Sequence, residues 1–422
     1  MKIYLYYIYF AIGFVLSFPI IAIQFTIMDI SSPVQTGIAY GCMTIPWCLK
    51  PIFGYISDKY SIFNWGNRKP YIFFSSLISS FLYVNVYDYK NNFILFIFLL
   101  TILSACTCFI DVCADCITVQ FVKDELESGV TQSNTWLSRA FGTLIGFILG
   151  GILYKISNAQ NVLTFCAYIP LITCFVVWKI REIKYKSPLL KDVWKNLVEE
   201  KTFICILFMF HISPNYRIFY EYFLKEKLNY SPDDFTYLSI ISTLSFVMGL
   251  ISFKFYFRKI KIKKLIWNAI VVSSILRLTQ IGVVLNIFPY FEIVMFDGII
   301  ESFCGQLIMM PLIVLAAKRC HEGLEGSFFS FIMSVMNFGV FLGDEVGAFI
   351  ANVLNVNKNN FEYLYVLMLI AIVTDVLIAY ITVQKMSFYF EDYVSISKTD
   401  VESSDHLNLN KEQKNDFDDY EG

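Results

Sequence analysis

Charge is scarce in this sequence. Only 16% of its 422 residues are Asp, Glu, Lys or Arg, against about 25% in soluble globular chains. A water-soluble domain in which 57% of residues are hydrophobic would expose large adhesive patches, so lipid is the solvent the composition calls for. A net charge of -2 supplies no basic surface for nucleic acid. Histidine is scarcer still: His211, His321 and His406 are the three present, and none has a neighbour set suited to a catalytic or metal-binding constellation. That argues against a metal centre, a cofactor-dependent site or a multi-pass membrane enzyme, each of which needs a compact constellation at one face. A Gly-rich filter loop and repeated charged rings are also missing, which argues against a channel. The eleven cysteines fall mostly in apolar runs. Cys113 and Cys116 form a C-x-x-C inside an apolar segment with no second ligand pair, so they read as small packing residues rather than a zinc or redox site.

Long hydrophobic runs are abundant. A helix needs about 20 apolar residues to cross the hydrocarbon core. Such runs begin near Ile3, Ile38, Tyr71, Phe93, Thr135 and Val162, and again near Phe203, Phe235, Leu265, Phe291, Ser327 and Phe361. The first, with only Lys2 before it and no small-residue cleavage pattern, reads as an uncleaved span rather than a signal peptide. The expected fold is an all-α integral membrane bundle of 12 transmembrane helices in two six-helix pseudo-repeats. Residues 1–180 form the first half, 181–202 a cytoplasmic linker, 203–390 the second half, and 391–422 a disordered acidic tail too polar to bury a core. With the N-terminus inside, Lys and Arg in the inner loops outnumber those outside by roughly three to one, so both termini are expected in the cytoplasm. The plasma membrane is the default location.

The loop after the second span reads Gly54-Tyr-Ile-Ser-Asp58-Lys59, then Gly66-Asn67-Arg68-Lys69. This resembles the G-x-x-x-D-(R/K)…G-(R/K)-(R/K) loop of the major facilitator superfamily. Gly54 permits close helix packing there, and Asp58, Arg68 and Lys69 form an ionic latch that favours one conformation of a carrier. The wider stretch from Pro46-Trp47 through Lys50-Pro51 to Asp58, followed by Arg68-Lys69-Pro70-Tyr71, resembles the folate–biopterin transporter family. So do Asp111-Val-Cys-Ala-Asp115, Ser138-Arg139-Ala-Phe-Gly142, Tyr230-Ser231-Pro232, Cys320-His-Glu-Gly323 and Met333-Ser334-Val-Met-Asn337. The resemblance covers nearly the whole chain before the tail, departing at Gln120, where members often carry Glu. It implies alternating-access transport of folate, biopterin or a related organic anion, with a carrier of some other cofactor-like solute as the alternative.

Ionisable residues inside spans are expensive in lipid and mark function by default. Lys50 and Arg139 are candidates for holding the carboxylates of an anionic substrate, and Arg277 is a third. Asp111 and Asp115 share one helix face, as do Asp297 and Glu301 in the corresponding span of the second half. These acidic pairs are expected to face one another across a central cavity and to carry protons with the substrate. The adjacent Asp344 and Glu345, and Asp375, read as structural. His211, next to Ser213-Pro214, reads as a packing histidine at a proline break that exposes backbone groups. The partners expected are thus the lipid bilayer, a folate- or pterin-like anion and protons, with the chain acting as a monomer.

Overall fold

The computed structural model describes residues 2–60, 62, 65–121, 128–180, 190–257, 260–318 and 325–385. The expected tail at 391–422 and the start of the linker lie outside the described residues. The described chain is helical, with no strand among these residues beyond an isolated bridge between Asn357 and Asn360. Nine helical segments among them are long and apolar enough to cross a membrane. The other three expected spans are helical too, but broken or short. Pro33–Cys48 (α3) and Lys50–Lys59 (α4) are separated at Leu49, Lys69–Asn85 (α5) has 17 residues, and Lys201–His211 (α11) is separated from Arg217–Glu226 (α12).

The breaks have local causes. Lys2–Ser17 (α1) and Ile20–Ile30 (α2) form one span kinked at Pro19, which offers no backbone donor. Between α3 and α4, Pro46 and Pro51 both lack the donor, and the Leu49 N–H bonds back to the Pro46 carbonyl at 3.0 Å. The helix starts are equally local. Ser32 caps α3 and Ser231 caps Pro232–Phe255 (α13), each in a capping box with proline in the first turn. These two starts occupy corresponding places in the two halves.

The same correspondence appears in helix packing. In Ser128–Ile156 (α7), Gly142, Gly146 and Gly150 lie against α1 so closely that an added Cβ would meet Phe10 O, Ser17 Oγ and Phe18 O, each at 2.1 Å. In Glu325–Val353 (α16), Gly339, Gly343 and Gly347 lie against α11 and the chain after it, where a Cβ would meet His211 Cβ at 2.7 Å, Ser213 O at 2.4 Å and Asn215 O at 1.9 Å. Glycine at every fourth position makes a smooth ridge. In a bilayer, where apolar burial gives helices little reason to associate, such ridges let backbones come into van der Waals contact.

The halves meet along α3 with α16 and α7 with α13. At one end a single apolar cluster joins them, with Ile21, Phe25 and Met28 of the first half packed among Phe219, Phe223, Phe235 and Phe361 of the second. This is the end expected to lie outside. At the opposite end the apolar clusters stay apart. One holds Ile8, Ile72 and Ile117 of the first half, another Phe203, Ile266 and Phe328 of the second. The bundle is closed by a shared apolar cluster at one end, while toward the other α4 of the first half still contacts α16 of the second. Outward faces carry exposed Phe81, Ile94, Phe175 and Phe349, as lipid contact requires.

The signature loop is shaped by Gly66, whose φ of 127° suits glycine. It is anchored by Trp65, which lies 4.5 Å from Trp178 between ring centroids. A Cβ at Gly54 would meet Val112 Cγ1 at 3.7 Å, an ordinary contact. The close approach expected at Gly54 is therefore not made here; the tight crossings lie on α7 and α16 instead. Arg68 is buried and Lys69 opens α5. The side chains of Asp58 and Gln120 lie outside the described residues.

Candidate functional site

A cavity of about 810 Å³ lies between the halves, with a wall from each. The first half contributes Gln24, Trp136, Arg139 and Thr143. The second contributes the break between α11 and α12, together with Arg277, Glu301 and Asp375. Lys50, Asp111, Asp115 and Asp297 do not line it.

In the first half the charges meet behind the wall. The break at Leu49 starts α4 at Lys50, whose ammonium lies 2.6 Å from Asp111 Oδ2 and 4.9 Å from the centroid of the Trp47 ring. Arg139 Nη1 of α7 lies 2.7 Å from the other oxygen, Oδ1. Each Asp111 oxygen thus accepts one charge-assisted hydrogen bond, the arrangement a carboxylate only 1% exposed requires. One turn on in Phe93–Phe121 (α6), Asp115 accepts from the Tyr9 hydroxyl at 2.6 Å. Arg139 alone of this group reaches the cavity, beside the ring of Trp136.

In the second half the charges face the cavity. Arg277 of Ile262–Val284 (α14) donates from Nε and Nη2 to Glu301 Oε1 at 3.2 and 3.0 Å, and from Nη1 to Asp375 of Leu364–Lys385 (α17). Glu301 and Asp297 lie on Phe291–Lys318 (α15), where the Thr279 hydroxyl sits 2.6 and 2.7 Å from the two Asp297 oxygens. The two acidic pairs therefore do not face each other across the cavity. Asp111, Asp115 and Asp297 are each taken up by partners within their own half, and of the four only Glu301 is in the wall. Asp375, read from sequence as structural, is in the wall as well. Asp344 accepts from Asn215 Nδ2 at 2.8 Å, while Glu345 turns toward Gly41.

The proline break carries groups that the sequence reading passed over. Asn215 N donates to Gly343 O at 3.0 Å, and Asn215 Oδ1 accepts from Arg217 N at 2.9 Å, so the interrupted backbone is satisfied on α16 and by a local cap. Tyr216 donates to Gln280 Oε1 at 2.8 Å. Arg217, Tyr220 and Glu221 follow into the wall. In the linear sequence they sit at the far end of the run that begins near Phe203, beyond the proline break. The available signal was Pro214, which marks where a helix stops at mid-depth. His211 sits beside the break with Nδ1 2.8 Å from Leu207 O and Nε2 3.4 Å from Met309 Sδ, the contacts of a packing histidine. Among the described residues no group of three or more His, Cys, Asp or Glu is placed to hold a metal ion.

A cavity between two helical halves, lined by charged side chains from both, is the layout of a solute carrier. The fold matches solved major facilitator-type transporters. The D-xylose–proton symporter superposes with a TM-score of 0.69 at 11% identity, covering 90% of this chain and 96% of that one. The nucleoside transporter NupG superposes at 0.67 with 14% identity, covering 90% and 98%. Among sequences, the folate-biopterin transporter of Synechocystis sp. is 27% identical over 384 residues, covering 86% of this chain and 77% of that one. The putative folate transporter 2 of Plasmodium berghei is 24% identical over 350 residues, covering 79% and 76%. Residues 13–387 match the BT1 family, and the chain, a multi-pass membrane protein of transporter and not enzyme type, belongs to that family.

Proposed function

We propose that this protein is a secondary active carrier of folate, biopterin or a related organic anion, working by alternating access and coupled to protons. The observation that carries the reading is Arg139, a partly buried arginine that reaches the interhalf cavity while its other side is held by Asp111. Twelve spans with both termini in the cytoplasm and a plasma-membrane location belong to the same reading. The closed end is then the outer one.

Lys50, Arg139, Asp111 and Asp115 together balance two positive against two negative charges. A substrate carboxylate that takes Arg139 leaves Asp111 with Lys50 alone, and the buried group gains a net negative charge. Proton uptake restores neutrality, because an unpaired buried charge is strongly disfavoured. Substrate and proton then travel together. The latch residues Gly54, Asp58, Arg68 and Lys69 act in this scheme on the balance between conformations rather than on the ligand.

Uptake of labelled folate and biopterin into proteoliposomes tests the proposal. Saturable uptake accelerated by an inward proton gradient is expected. In the Asp115→Asn variant, gradient-driven accumulation is lost while exchange across the membrane persists. Uptake no faster than in empty liposomes sinks the substrate assignment, and wild-type pH dependence in Asp115→Asn removes that residue as proton carrier.

A further inference from the structure

Three arginines line the cavity, and they differ in how much of each guanidinium the protein itself uses. Arg277 is held through all three nitrogens by Glu301 and Asp375. Arg139 is largely buried and gives Nη1 to Asp111. Arg217 donates only from Nε, to Glu221 Oε1 at 2.8 Å, and its side chain is 78% exposed within the cavity wall. Its two terminal nitrogens, which point the fork of a guanidinium at an oxyanion, make no hydrogen bond among the described residues.

Glu221 is fixed in turn. Its second oxygen, Oε2, accepts from Gln24 Nε2 at 2.9 Å, and Gln24 is a buried residue of the first half. One carboxylate thus spans from the cavity wall to the seam between the halves. In the same wall the hydroxyls of Ser213 and Tyr220 are buried with no partner in this state, which leaves two further donors on the broken segment that carries Arg217.

This site is separate from Arg139. The Phe25 ring marks one level near the closed end, because both Tyr154 and Lys225 contact it. At about 1.5 Å per residue, Arg217 lies about 12 Å below Lys225 and Arg139 about 22 Å below Tyr154. A single carboxylate cannot reach two groups offset by about 10 Å along the bundle.

We propose that Arg217 is the anion-binding residue of the closed-end part of the cavity: its terminal nitrogens hold a ligand carboxylate, and Glu221, positioned by Gln24, is the resident competitor that the ligand displaces. The inference rests on the cavity being the substrate site. It goes beyond that reading in giving the cavity a second carboxylate position, distinct from Arg139, on the broken helix of the second half.

Equilibrium binding to the full-length protein in lipid nanodiscs tests it, with folic acid and p-aminobenzoylglutamate as anionic probes and biopterin as the uncharged one. Arg217→Gln is expected to weaken both anionic probes at least tenfold and to leave biopterin within twofold. Arg217→Lys, which keeps the charge without the fork, falls between. Glu221→Gln removes the competitor and is expected to tighten the anionic probes severalfold, a rise that a purely structural role for Glu221 would not give. Unchanged anion binding in Arg217→Gln, an equal loss of biopterin, or a wild-type chain that binds neither anionic probe overturns the assignment. A chain that binds p-aminobenzoylglutamate through Arg217 but neither folic acid nor biopterin keeps the anion site and removes the folate carrier reading.

Discussion

In the first half one carboxylate, Asp111, is shared by two cations, Lys50 and Arg139; in the second, one cation, Arg277, is shared by two carboxylates, Glu301 and Asp375. The first group is dry: Asp111 is 1% exposed and Lys50 6%. The second is wet, with Glu301 43% exposed along the cavity. A buried charge has no water to fall back on, so the first group holds together by mutual pairing. In the second, water in the cavity can replace any partner that leaves. The halves share helix starts and glycine ridges, yet the chemistry placed on that common frame differs in sign and in hydration.

Stability measurements can break this comparison. Asp111→Asn leaves buried Lys50 and partly buried Arg139 without their shared partner and is expected to destabilise the protein by about 3–5 kcal/mol. The measurement is the thermal unfolding midpoint of the purified protein. Glu301→Gln, next to water, should lose about 1 kcal/mol or less. Equal losses in the two variants would mean that hydration does not distinguish the groups.

The glycine ridges sharpen what the halves have in common. Gly142→Ala and Gly343→Ala each place a methyl group against carbonyl oxygen, at 2.1 and 2.4 Å before relaxation. Each is expected to destabilise by about 1–3 kcal/mol through overpacking. Gly305, where an added Cβ meets nothing within 4 Å, is the internal control, and its Ala variant should stay within about 0.5 kcal/mol of wild type. A loss confined to one ridge would show that the two crossings are alike in geometry only.

The smallest effect is expected at the closed end. Lys155 and Asp233 pair across the halves at 2.6 Å, but their side chains are 60% and 36% exposed. Asp233→Asn should shift stability by less than about 1 kcal/mol, and less again at high salt. A larger shift would mean that this pair, rather than the apolar cluster around Phe25, holds the halves together there.

Much of the bundle was legible before any coordinates, and particular residues show why. The break at Pro214 was read from the proline itself, which lies within a few residues of the backbone bonds it leaves to others. The run from Phe93 is long enough to cross a bilayer on composition alone. Among the charges, sequence picked out Lys50, Asp111 and Arg139 because each interrupts an apolar run. It passed over Arg217 and Glu221, which follow the proline break at Pro214.

The sequence alone determined that the chain is a helical membrane bundle of transporter type. Span length, helix punctuation and the Gly54-to-Lys69 signature are properties of short stretches, and hydrophobic transfer acts on each stretch separately. Only the tertiary structure decided which charges face water and which face each other. Asp111 and Asp115 share a helix face with correct spacing, yet partners on α1, α4 and α7 take them out of the cavity, while a break after α11 brings Arg217 into it. Pairing of this kind depends on where side chains from distant helices end up within hydrogen-bonding reach. That reach of about 3 Å is set by long-range packing, which no local pattern in the chain encodes.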